Sequence, residues 1–166
     1  MSFYFNADEL FQVGVQIEAN GKAFYEAAAE RAGDPGVQKL CRELAGWESK
    51  HIELFEALRR GLPEEARQGS TFDPDSEMAG YIQAAADTHV FVKNKDMAAL
   101  AASCRTAADI LELAIGFEKD SVVFYSAMKG AVEEHEGREK VNAIIDEELR
   151  HIGILTLQKS KLAAPR

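Results

Sequence analysis

Apolar positions in this chain recur mainly at spacings of three and four, the period of helices that bury one face. From about Ala7 to Arg31, Phe11, Gly14, Val15, Tyr25 and Ala29 keep that period. The alanine-rich run AFYEAAAE adds high helix propensity, so a first helix is predicted there. Gly33, Asp34, Pro35 and Gly36 predict a turn, with Asp34 placed to cap a second helix and Pro35 suited to its first position. That helix runs through Leu40, Leu44, Ile52, Phe55 and Leu58 and should stop near Gly61 and Pro63. The segment from about Leu62 to Cys104 reads as a long connection. Within it, Met78, Tyr81, Ile82, Ala85 and Val90 predict a helix from about Ser76 to Phe91, with a shorter one after Asp96. Thr106 and Asp109 form a capping-box pattern that opens a third long helix, with its stripe on Leu111, Ala114, Ile115, Val122 and Tyr125. A fourth begins near Gly137 and carries Val141, Ile144, Ile145, Ile152 and Leu155. No strand-like alternation of useful length occurs.

Two helical hairpins joined by one long crossover are the threading of a ferritin-like four-helix bundle, so the expected fold class is all-α. With 166 residues, 46% of them hydrophobic, the chain should form one domain over 1–166, with 62–104 as the crossover within it. Nineteen Lys and Arg stand against 28 Asp and Glu, a formal net charge of −9, and no basic run offers a path for a phosphate backbone. Nucleic acid is therefore not an expected partner. The start MSFYFNADEL has no basic region followed by a long apolar segment, and no membrane span is apparent, so a cytoplasmic protein is expected. Cys41 and Cys104 stand alone, without the CxxC pairs of a zinc ribbon or rubredoxin site. Apolar helix in the connection beyond what one bundle edge needs suggests a homodimer.

One detail conflicts with a simple amphipathic reading. Glu148 and His151 fall on the apolar face of the fourth helix, where a lone charge is costly to bury. A shift of one hundred positions gives the reason. It lays Glu18 on Glu118, Phe24-Tyr25 on Phe124-Tyr125, Glu48 on Glu148, His51 on His151 and Ile52 on Ile152. Glu18 and Glu48 lie about 15 residues on either side of the first turn, which puts them at equal height on antiparallel helices. The same holds for Glu118 and Glu148 about a turn near Glu133. Hairpins packed face to face would gather all four acids at one level.

Four buried carboxylates repel one another and each loses several kcal/mol of hydration, so a positive group must sit among them. Two divalent ions supply four positive charges, and His51 and His151 can give each ion a neutral nitrogen. One Glu on each of two helices plus Glu-x-x-His on the other two is the ligand set of carboxylate-bridged di-iron or di-manganese bundles. The expected metal residues are thus Glu18, Glu48, His51, Glu118, Glu148 and His151. These ligand types also suit zinc. Tyr25 and Tyr125 either fill core volume or donate to a ligand across the bundle. Glu112, Asp146 and Glu147 read as outer-face charges, His89 and His135 as surface imidazoles, and Cys41 as a small core residue. Lys22 either reaches the bundle edge or pairs with an acid.

Glu18 with Phe24-Tyr25, Glu48-x-x-His51, Glu118 with Phe124-Tyr125 and Glu148-x-x-His151 resemble the rubrerythrin branch of the ferritin-like superfamily. The likeness spans roughly Ala7 to Arg31, Gly36 to Arg60, Thr106 to Lys129 and Arg138 to Gln158. It implies a non-haem di-iron site in which Glu48 and Glu148 bridge and Glu18 and Glu118 are terminal; in a redox enzyme built on it, Tyr25 and Tyr125 are expected to orient those ligands. Members of that branch typically reduce hydrogen peroxide, drawing electrons through a rubredoxin domain held by two CxxC pairs. This sequence contains no such pair, so the resemblance implies a separate donor such as a rubredoxin or reductase. It departs from the branch on the third helix as well, where Ile115, Ser121 and Val122 occupy the neighbourhood in which rubrerythrins place an extra carboxylate. Reduction of peroxide, or less readily dioxygen, is the leading expectation. A ferroxidase that handles iron is the alternative, and a metal-stabilised interaction bundle a third.

Overall fold

A computed structural model describes residues 6–64, 96–132 and 135–164, with only the backbone given for Gly130, Ala131, His135 and Glu136. Five helices account for most of it: α1 (Ala7–Arg31), α2 (Pro35–Gly61), α3 (Met97–Ser103), α4 (Ala107–Ala131) and α5 (His135–Ala163). No strand occurs among the described residues. No helix among them is long and apolar enough to cross a membrane. The helix expected over Ser76 to Phe91, with its bearing on dimerisation, and His89 lie outside the described residues, as does the turn residue Glu133.

Local chemistry sets the helix starts. Asp34 accepts from the Val37 N–H at 3.0 Å with Pro35 following it, and Thr106 and Asp109 form the reciprocal capping box. Asn6 and Glu9 form a second such box at α1, which the sequence reading passed over. Asp96 caps the short α3, whose Met97 and Ala101 are buried. One boundary differs from expectation, since α5 starts at His135, two residues ahead of Gly137. A glycine in the first helical turn is tolerated, because propensity is a weak prior.

α1 packs along α2 and α4 along α5, making two hairpins; α3 lies against α1, and the hairpins meet through α1 with α4 and α2 with α5. Both hairpin turns use the same contact. Gln38 Nε2 donates to the Ala32 carbonyl at 2.7 Å, and one hundred residues later Arg138 Nε donates to the Val132 carbonyl. The open ends are also tied: Arg59 forms a two-pronged pair with Asp8, both bonds at 3.0 Å, and Lys159 pairs with Glu112. The core contains Phe11, Phe24, Phe55, Phe117 and Phe124, with Phe24 meeting Phe117 edge to face across the hairpins at 4.9 Å. Gly14 admits the Phe55 ring so closely that a β-carbon there would lie 3.2 Å from three of its atoms. Phe55 in turn rests on Tyr125, with ring centres 5.1 Å apart. Cys41 is a fully buried core residue whose thiol is pushed up to about 12 by burial; it and Cys104 are free.

Candidate metal centre

At mid-height of the bundle, each long helix turns polar side chains into the apolar core. Glu18 comes from α1, Glu48 and His51 from α2, Glu118 from α4, Glu148 and His151 from α5, and none is more than 3% exposed. The structure thus brings all six expected residues together. They fall into two groups whose donor atoms lie within 4.8 Å of one another and could hold a metal ion: Glu18, Glu48, His51 and Glu148 in one, Glu48, Glu118, Glu148 and His151 in the other. Glu48 and Glu148 belong to both.

Both imidazoles turn Nδ1 inward. His51 Nδ1 lies 3.3 Å from Glu18 Oε2, 3.4 Å from Glu48 Oε2 and 3.0 Å from Glu148 Oε1. His151 Nδ1 lies 2.8 Å from Glu148 Oε2 and 3.8 Å from Glu118 Oε1. Glu148 therefore presents one oxygen to each histidine. Although His51 is near, Glu148 Oε1 makes no hydrogen bond among the described residues, and it is fully buried. A buried acceptor without a donor costs about 1–3 kcal/mol, more if charged, and is the kind of atom a cation satisfies.

Two tyrosines complete the ring of contacts. Tyr25 donates its hydroxyl to Glu118 Oε1 and Tyr125 donates to Glu18 Oε1, so each fully buried phenol fastens a carboxylate on the opposite hairpin. They do both things expected of them, filling core volume and bonding across the bundle. Burial, reinforced by the charge of Glu118 for Tyr25 and of Glu18 for Tyr125, raises both phenols well above their ordinary range, so they remain donors.

The protonation pattern follows from crowding. Burial, then the charge of Glu18, pushes Glu48 well above the usual carboxylate range; burial and the charge of Glu148 bring Glu118 to about 8. Burial alone would also raise Glu148, but its close contacts with His151 and His51 outweigh it and hold this carboxyl low. Burial would lower both histidines. Hydrogen bonds to Glu118 and Glu148 overcome it at His151, which sits at about 9, and contacts with Glu148, Glu18 and Glu48 raise His51 well above its ordinary value. Protons thus neutralise what two divalent ions would neutralise, and the donor set of four carboxylates and two imidazoles fits such ions in charge and type.

Of the residues read as outer-face charges, Glu112 is exposed and paired with Lys159, and Asp146 is exposed. Glu147 departs from that reading. Its carboxylate, 40% exposed, lies at the edge of the cluster with Oε2 3.0 Å from His51 Nε2. Trp47 was also passed over: its indole stacks on His151, with ring centres 4.8 Å apart and planes 9° from parallel. The signal for both was in the repeat, since the shift that superposes the ligands lays Trp47 on Glu147, the residue one before each shared glutamate. Lys22 pairs with Glu26 at 4.0 Å on the exposed face of α1.

No known family model matches the sequence, and no curated protein matches it. Among solved structures, the chain is similar to a protein from Thermotoga maritima whose crystal structure is described as that of a candidate ferritin-like diiron-carboxylate protein. The two share 23% identity, 96% of this chain and 98% of that one are covered, and the TM-score is 0.68. The likeness establishes the fold, a ferritin-like helical bundle; the buried carboxylate and histidine cluster is seen in this chain itself.

Proposed function

We propose that this protein is a non-haem di-iron oxidoreductase of the rubrerythrin type, reducing hydrogen peroxide, or less readily dioxygen, with electrons from a separate donor such as a rubredoxin or reductase. The observation that carries the reading is the sharing of Glu48 and Glu148 between two groups of buried donor atoms. Two ions held side by side need shared carboxylates of this kind. Glu18 and His51 would complete one position, Glu118 and His151 the other. Iron bound there would supply the two electrons that, with two protons, convert peroxide to two waters. The chain's own part is preparatory. The two tyrosine hydroxyls hold Glu118 and Glu18 in place, and the inward Nδ1 atoms set the histidines. The surrounding aromatic core keeps bulk water from the cluster.

A second reading, ferroxidase, is favoured by one observation. Beside Glu118 on α4 stand Ser121 and Ile115, both buried, where a rubrerythrin-type site would bring another carboxylate. The two readings separate on oxidant. Protein reconstituted anaerobically with two ferrous ions per chain is mixed rapidly with peroxide or dioxygen, and the near-ultraviolet absorbance of the ferric product is followed. Peroxide is expected to oxidise the centre much faster, and a reductant to restore it. Equal speed with dioxygen, and continued consumption of added ferrous iron, would instead establish the ferroxidase.

A further inference from the structure

The two histidines of the cluster are placed alike but backed differently. His51 Nδ1 faces the shared carboxylates while its Nε2 meets Glu147 Oε2 at 3.0 Å, from the other hairpin. His151 Nδ1 likewise faces inward, but its ring lies flat against Trp47, and among the described residues no carboxylate pairs with its Nε2. An indole face cannot accept an in-plane N–H, so only His51 has its tautomer fixed by a carboxylate. That difference arises at a single pair of repeat-equivalent positions, 47 and 147.

We propose that Glu147 is a positioning residue that makes the two metal positions unequal, so that the position built from Glu18, Glu48, Glu148 and His51 fills first. This rests on the metal-centre reading above. By accepting the Nε2 hydrogen, Glu147 keeps the Nδ1 lone pair directed at the cluster and makes the imidazole a stronger donor. It also adds a carboxylate charge beside that position alone. The ion on the His151 side has the same inner donors without this support and binds more weakly. Partners that hold a metal-binding imidazole from behind are typically worth roughly 10- to 100-fold in metal affinity, which is the expected separation between the two steps.

The test is calorimetric titration of the metal-free protein with cobalt(II). Wild-type protein is expected to take up two ions in two resolved steps, and His51→Ala to abolish the tighter one. Glu147→Leu should weaken the tighter step by roughly 10- to 100-fold and leave the weaker step within about threefold; Glu147→Asp should recover part of the loss. Asp146→Asn removes a neighbouring exposed charge that meets neither histidine, and should change neither step. Because Glu147 is 40% exposed, its variants should keep the wild-type unfolding temperature without metal. Two equal steps in wild-type protein, or equal weakening of both steps in Glu147→Leu, would overturn the proposal while leaving the metal centre intact. Absence of any cobalt uptake by wild-type protein would instead refute the metal-centre reading, and this inference with it.

Discussion

Tyr25 and Tyr125 each solve a problem created by a carboxylate one hairpin away. Glu118 and Glu18 are buried among other acids, and a phenol hydroxyl supplies each with a donor that adds no charge. Replacing either tyrosine by phenylalanine keeps the ring in the core and removes only that donor. Each change is expected to destabilise the metal-free protein by about 1–2 kcal/mol, read as a lower urea midpoint at unchanged slope. An unchanged midpoint would mean the hydroxyls contribute nothing to holding the carboxylates. At this scale much was legible in the sequence. The doubled Glu-x-x-His and the matching acids announce themselves by falling on apolar stripes. Glu147 does not, because a glutamate beside a glutamate on a helix looks like surface charge until the neighbouring hairpin brings His51 against it.

The helices owe their ends to short-range chemistry and their packing to size matching. Asp34 with Pro35, and Thr106 with Asp109, could be read as helix starts because a cap involves residues three apart. The close approach of Gly14 to Phe55 could not, since it depends on how α1 and α2 are rotated against each other. Gly14→Val is expected to destabilise the fold by about 1–3 kcal/mol, because the β-carbon and its methyls must displace a ring already seated on Tyr125. The measurement is denaturant unfolding beside Val15→Ala as a neighbouring control. A neutral outcome would mean that Phe55 has room to shift. Were the ring to move, the contact with Tyr125 and so the Tyr125 bond to Glu18 would be the next to change.

For the molecule as a whole, the buried cluster couples stability to pH. Glu118 rises from an ordinary value of 4.5 to about 8, and His151 from 6.5 to about 9. Each binds its proton more tightly folded than unfolded, so its contribution is complete below the unfolded value and is lost as pH rises through the folded one. Glu148, held low, works in reverse: its contribution is present above about 4.5 and is lost as pH falls. Metal-free protein should therefore unfold at progressively lower temperature between about pH 4.5 and 9, whereas metal affinity should rise over that range, since the ions displace the same protons. Thermal scans with and without cobalt(II) check both; a flat metal-free profile would contradict the assigned proton positions.

The shared contact at the two turns, Gln38 with Ala32 and Arg138 with Val132, marks the halves as versions of one hairpin. Two identical hairpins meeting across a symmetry axis would be bound to remain identical, since any substitution in one appears in the other. Covalent linkage lifts that obligation. With both copies in one chain, position 147 can carry an acid while position 47 carries an indole. Holding both hairpins in one chain thus gives the bundle a freedom that no symmetric assembly of hairpins has: its two ends of the same ligand set can be told apart.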